Sequence, residues 1–113
     1  MIKIFHNNRC SKSRCGVELL ENSGKEFEIV KYLDTPPTID ELKRIITLLG
    51  ISPIELVRKN EAIWKDNFKG KIMTDTEIIA AMVNNPKLIE RPIVINGNKA
   101  VVGRPPENIL SII

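Results

Sequence analysis

The sequence predicts a mixed α/β fold of order βαβ, helical insert, ββα, built on a four-stranded mixed sheet. Three observations carry this expectation. Two β-prone segments, IKIF at 2–5 and FEIVKY at 27–32, flank a helical stretch. The middle of the chain, about 38–85, holds only helical patterns with their caps. Late in the chain, Ile93-Val94-Ile95, Asn96-Gly97-Asn98 and Ala100-Val101-Val102 spell a hairpin with strong turn chemistry.

Each element follows from local chemistry. The first helix is expected from about Ser11 to Asn22, with Val17 and Leu20 on one face and Ser23-Gly24 as its stop. Thr38 is a natural N-cap with Glu41 three residues on, and Leu42, Ile45, Ile46 and Leu49 make the apolar stripe before Gly50. Pro53 suits the first turn of a short helix running to about Val57, and Glu61 to Asn67 reads as another. Thr74 caps a helix carrying Ile78, Ile79, Met82 and Val83, which ends before Pro86. Pro105-Pro106 opens a last helix with Ile109, Leu110 and Ile113 on its apolar side. A βαβ unit implies parallel strands, and the whole order matches the thioredoxin fold with helices between its halves. Pro92 stands directly ahead of the third strand, where that fold usually carries a cis-proline.

At 113 residues the chain is the size of one domain, 1–113, with the helical insert at about 38–85. No apolar run approaches the roughly 18 residues of a membrane span, and MIKIF lacks the apolar stretch of a secretory signal. A cytoplasmic protein is therefore expected. The net charge of +3 is spread along the chain without a basic run or aromatic interleaving. Nucleic acid is not expected as a partner on that pattern, and a small anion suits the balance equally well.

The only histidine and both cysteines fall within HNNRCSKSRCG, 6–16. In a reducing compartment a close cysteine pair is more often catalytic, redox-active or metal-binding than structural. Two cysteines and one histidine are one ligand short of a four-ligand zinc site, so no metal is expected. Cys10 falls between a strand and a helix N-terminus, where free N–H groups and the helix dipole favour a thiolate. The same N–H groups, on Ser11, Lys12, Ser13 and Arg14, suit a tetrahedral oxyanion. Ser13 occupies the place of the second thiol of a C-x-x-C motif, and Cys15 lies about 7.5 Å further along the axis if both were helical. Cys10 is thus the favoured single essential thiol, while Cys15 reads equally as a plain helix residue or a second thiol. His6 is either a charged or hydrogen-bonding neighbour of Cys10 or only the end of the strand. Arg58, Arg91 and Arg104 each read singly as solvated surface groups. Yet Arg91 precedes Pro92, Arg104 ends the last strand, and guanidinium forks are preferred partners of oxyanions.

Five blocks in order, H-N-x-x-C-S-K-S-R at 6–14, Y-L-D-T-P-P-T at 32–38, L-V-R-K-N at 56–60, E-R-P-I-V at 90–94 and G-R-P-P-E at 103–107, resemble the glutaredoxin-dependent arsenate reductases, the ArsC/Spx-like group. Asn8 stands where that loop often has proline, C-S-K-S-R replaces C-G-T-S-R, and Cys15 is an addition. The resemblance implies that a Cys10 thiolate attacks arsenate, glutathione adds to the arsenic, a glutaredoxin reduces the adduct, and arsenite leaves. It implies that Arg58, Arg91 and Arg104 hold the oxyanion and that His6 helps to keep Cys10 ionised. It implies no bound cofactor, with glutathione or an equivalent thiol as co-substrate, and a monomer is expected. Two other readings share the scaffold: an Spx-like regulator that binds RNA polymerase, and a monothiol thiol-transfer enzyme. The Ser13 substitution argues against the usual C-x-x-C switch of the regulators. The phosphatase-like arsenate reductases need C-x5-R, whereas Cys10 and Arg14 are spaced C-x3-R.

Overall fold

A computed structural model describes residues Met1–Ile113. The chain divides into two compact units, one made of Met1–Thr35 with Arg91–Ile113 and the other of Pro36–Glu90. The first unit carries the sheet, with β1 at Ile2–Phe5, α1 at Ser11–Asn22, β2 at Phe27–Val30, β3 at Ile93–Asn96 and β4 at Lys99–Val102. Sheet order is β2-β1-β3-β4. β1 runs parallel to β2, with Phe5 opposite Val30, and antiparallel to β3, with Phe5 opposite Ile93. β3 and β4 form the expected hairpin. This is the thioredoxin-like arrangement predicted from the element order.

One core lies where α1 and the C-terminal segment cover a face of the sheet: Ile2, Ile4, Leu20, Val94 and Ile109, with Val17, Phe27 and Val101 packed around them. Ile4, Leu20, Val94 and Ile109 are fully buried, and each stabilises the unit by about 1.5–3 kcal/mol. Pro92 is also fully buried. A Cβ added at Gly16 in α1 would lie 3.2 Å from the Pro92 ring, and one at Gly103 only 2.9 Å from it. Helix and chain can therefore both approach the ring closely because neither position carries a side chain. The Gly103 N–H also donates to the Pro92 carbonyl at 2.8 Å. The Arg91–Pro92 and Arg104–Pro105 bonds are both cis.

The second unit contains α2 (Ile39–Leu49), α3 (Ala62–Asn67) and α4 (Asp75–Asn84). The helical insert expected at about 38–85 lies in it. Thr38 caps α2 by accepting from the Glu41 N–H, Gly50 ends it in the left-handed region, and Thr74 with Glu77 forms a complete capping box on α4. Leu42, Ile45, Ile46, Ile78, Ile79 and Met82 are buried as their spacing predicted. An isolated antiparallel bridge joins Val57 to Ile89.

Two details differ from expectation. β2 stops at Val30 rather than Tyr32, because the Lys31 carbonyl closes a turn with the N–H groups of Asp34 and Thr35 at 3.0 and 2.9 Å. The last helix, Pro106–Ser111, is 3-10, held by i to i+3 bonds such as Asn108 N–H to the Pro105 carbonyl. That tighter winding leaves Leu110 58% exposed, off the apolar side expected for it, while Ile109 is fully buried.

Replacing Gly103 by alanine should cost about 1–3 kcal/mol through overpacking against Pro92. Gly16→Ala should stay within about 1 kcal/mol of wild type, because helix propensity offsets its looser contact. Urea midpoints at unchanged slope would test this, and a smaller loss at Gly103 than at Gly16 would contradict the packing.

Candidate functional site

The stretch 6–16 turns at the carboxyl end of β1. The His6 N–H continues the parallel ladder to the Val30 carbonyl at 2.9 Å, and the Cys10 N–H closes a turn on the Asn7 carbonyl at 3.0 Å. Cys10 is the N-cap residue of α1, with extended backbone angles and no side-chain capping bond. Its thiol is thus left available for other contacts at the mouth of the helix, where the first N–H groups lack intrahelical partners. Arg14 N–H already donates to the Cys10 carbonyl at 3.0 Å. The open donors are therefore those of Ser11, Lys12 and Ser13. Arg14, expected among the anion-binding residues, also turns its Nη1 back to the Asn8 carbonyl at 3.0 Å.

Cys10 is 8% exposed, and Arg104 Nη2 lies 3.6 Å from its Sγ. The same guanidinium donates from Nε to the Arg91 carbonyl at 2.7 Å. Arg104 thereby ties the thiol to the residue preceding Pro92. The Asn108 amide donates to the Arg104 carbonyl at 3.1 Å, fixing the backbone behind it. Arg91 itself is buried. A guanidinium beside sulfur and a helix N-terminus beneath it both favour negative charge at one point.

Ser13 is fully buried. Its hydroxyl accepts from the Asn7 N–H at 3.0 Å and lies 2.5 Å from His6 Nδ1. The side chain stitches the strand end to the helix; only its backbone N–H remains for an anion. Burial, then the positive charges of Lys31 and Arg14, hold His6 below the ordinary histidine range against a smaller opposing effect of the Ser13 bond. His6 is therefore a neutral ring at neutral pH, and of the roles open to it hydrogen bonding, not cationic charge, fits. Nothing in the sequence spacing alone marks the His6–Ser13 pair, since the two residues meet only once the loop is closed.

Ser11, Lys12 and Cys15 are exposed, and both cysteines are free thiols. Arg58 belongs to the unit Pro36–Glu90, where Nη1 pairs with Glu61 Oε1 at 2.5 Å and its N–H donates to the Leu88 carbonyl at 2.7 Å. No helix is long and apolar enough to cross a membrane.

The sheet order and the buried proline ahead of β3, with a thiol at a helix N-terminus, define a thioredoxin-like protein. The ArsC family model matches residues 5–112, and the chain belongs to the ArsC family. It is 46% identical over 114 residues to the uncharacterized protein YfgD of Escherichia coli, covering 99% of this chain and 96% of that one. It is 44% identical over 114 residues to an arsenate reductase of Neisseria meningitidis serogroup A, covering 99% and 97%. An arsenate reductase structure from Vibrio cholerae superposes with a TM-score of 0.94 at 43% identity, over 99% of this chain and 97% of that one.

Ser13→Ala should lose about 1–3 kcal/mol of stability, because the buried His6 ring and the part-buried Asn7 N–H both lose their partner. A change under a few tenths in urea melts would mean the bond is unimportant. The His6 shift gives a pH dependence of defined sign. The unfolded ring takes its proton near 6.5, the folded ring only at lower pH. This contribution to stability is intact above the unfolded value and is lost as pH falls from there through the folded value. Urea midpoints should therefore drop more steeply across that window for wild type than for His6→Gln; equal slopes would contradict the assignment.

Proposed function

We propose that the protein reduces arsenate to arsenite at Cys10, with glutathione as co-substrate and a glutaredoxin as transient partner. The observation that carries this reading is the Arg104 guanidinium 3.6 Å from Cys10 Sγ at the N-terminus of α1. A thiol and a guanidinium at one place support a nucleophile beside an oxyanion site, and relatives that carry the name arsenate reductase support the choice of anion.

The Cys10 thiolate displaces one arsenate oxygen as water, while Arg104, Arg91 and the N–H groups of Ser11, Lys12 and Ser13 take up the anionic charge. The glutathione thiol displaces a second oxygen, again as water. A glutaredoxin thiol then attacks the glutathione sulfur, forming a mixed disulfide and leaving two electrons on arsenic, which passes from As(V) to As(III). Hydrolysis of the remaining S–As bond releases arsenite and restores Cys10. Arg58 enters as a third cation for the anion on the family resemblance alone. The neutral His6, held by Ser13, is assigned to maintaining the loop that presents Cys10. The reaction takes place in the cytoplasm, where glutathione is kept reduced, and a monomer suffices for it. It needs neither a bound cofactor nor a membrane or nucleic acid.

The test is arsenate-dependent NADPH oxidation coupled through glutathione, glutathione reductase and glutaredoxin. Wild type should turn over, Cys10→Ser should fall to background, and Cys15→Ser should keep most of the rate. No turnover in wild type would overturn arsenate as substrate, and loss in Cys15→Ser alone would overturn the single-thiol route.

A further inference from the structure

A second feature adjoins the thiol without including it. Where β1 and β2 end side by side, the chain leaves Phe5 and Val30 in register and diverges into two loops. Between them lies a cavity of about 400 Å³, walled by residues 6–9 on one side and by Lys31, Leu33 and Asp34 on the other. Crevices outside the carboxyl ends of parallel strands are common ligand positions. The charges in this one are specific: Arg9 and Lys31 are cationic and Asp34 is anionic, and the amides of Asn7 and Asn8 offer both donors and acceptors. Two cations and one carboxylate complement a ligand with two carboxylates and one ammonium group.

We propose that this cavity is the docking subsite of the small peptide thiol, seating the two carboxylates of glutathione against Arg9 and Lys31 and its ammonium group against Asp34. The inference rests on the proposed use of glutathione at Cys10. An extended tripeptide spans roughly 10 Å. Anchored beside Arg9, it can present its central thiol to an adduct on the next residue of the chain. The Cys10 N–H is bonded to the Asn7 carbonyl at 3.0 Å, so the cavity wall and the thiol belong to one closed turn.

The placement also couples the subsite to His6. His6 is the only histidine of the chain and lines the cavity. The charged groups around it are Lys31 and Asp34 from the loop after β2, Arg9 from its own loop and Arg14 from α1, with Ser13 as its hydrogen-bond partner. A carboxylate bound at Lys31 offsets one of the positive charges that keep the ring neutral. Occupancy must then raise the His6 titration midpoint.

The experiment is an NMR titration with S-methylglutathione, whose thioether cannot react. Saturable shifts are expected at the amides of 7–9 and 31–34, with a rise in the His6 midpoint. Lys31→Gln should start with a higher midpoint, lose the ligand-induced rise and bind about tenfold more weakly. In the coupled assay at alkaline pH, where His6 is neutral in both proteins, Lys31→Gln should raise KM for glutathione severalfold without changing KM for arsenate or kcat. Shifts confined to the surroundings of Arg104, or equal binding of glutarate and S-methylglutathione, would overturn the subsite. Wild-type turnover with an unchanged glutathione KM in Lys31→Gln would also overturn it while leaving arsenate reduction standing. Ligand binding with no arsenate turnover would uphold the subsite and remove only the proposed substrate.

Discussion

The site depends on the contact of one ring with two glycines. Pro92 is fully buried, and the space at its ring is kept by Gly16 and Gly103. Each of these three residues is tied in sequence to a group at the site. Gly16 lies on the helix that begins after Cys10, Pro92 follows Arg91, and Gly103 precedes Arg104. A methyl group at Gly103 would push against the ring at 2.9 Å and move the chain that carries Arg104. The 3.6 Å approach of guanidinium to sulfur therefore depends on close packing at the residue next to Arg104. Interiors are dense enough to pass such a displacement on rather than absorb it.

The electrostatics follow from that packing rather than from overall charge. A net charge of +3 spread over the surface gives little field at any one point. Backbone donors at the start of α1 and one oriented guanidinium act at close range on a thiol that is 8% exposed. Low exposure strengthens both interactions. The neutral His6 is compatible with this, since a second buried cation would need its own compensation. Ser13 supplies a neutral partner instead, and its bond to the Asn7 N–H closes the loop at the same time.

Much of the fold was legible because caps and turns are local chemistry. Thr38, Gly50 and Thr74 mark their helices for reasons that hold within four residues, and the N-G-N turn fixes the hairpin register in the same way. The position of Cys10 at a helix start was legible on the same terms. What the sequence could not show depended on closure in three dimensions. Ser13 and His6 are seven residues apart and meet only through the loop between them. Arg14 looked like an anion ligand by proximity, yet a nearer carbonyl at Asn8 takes its Nη1. Leu110 fits an α-helical stripe and is exposed because two prolines start the segment as a 3-10 helix. Arg104 reads as an ordinary end-of-strand arginine until Gly103 is seen against Pro92.

The second cysteine shows why the proposed reaction must draw on other molecules. Five residues along a helix correspond to about 500° of rotation, or roughly 140° away from the starting direction. Cys15 is accordingly exposed while Cys10 is buried beside Arg104. A disulfide between them needs Cα atoms within about 7 Å and side chains that converge, which would require unwinding the first turn of α1. That turn carries the N–H donors proposed to hold the anion, so forming the bond would dismantle the proposed site. Reducing arsenate takes two electrons, and a chain with one usable thiol cannot supply them by forming its own disulfide. The way α1 presents its two sulfurs thus supports the proposal that an external small thiol takes part and is seated beside Cys10.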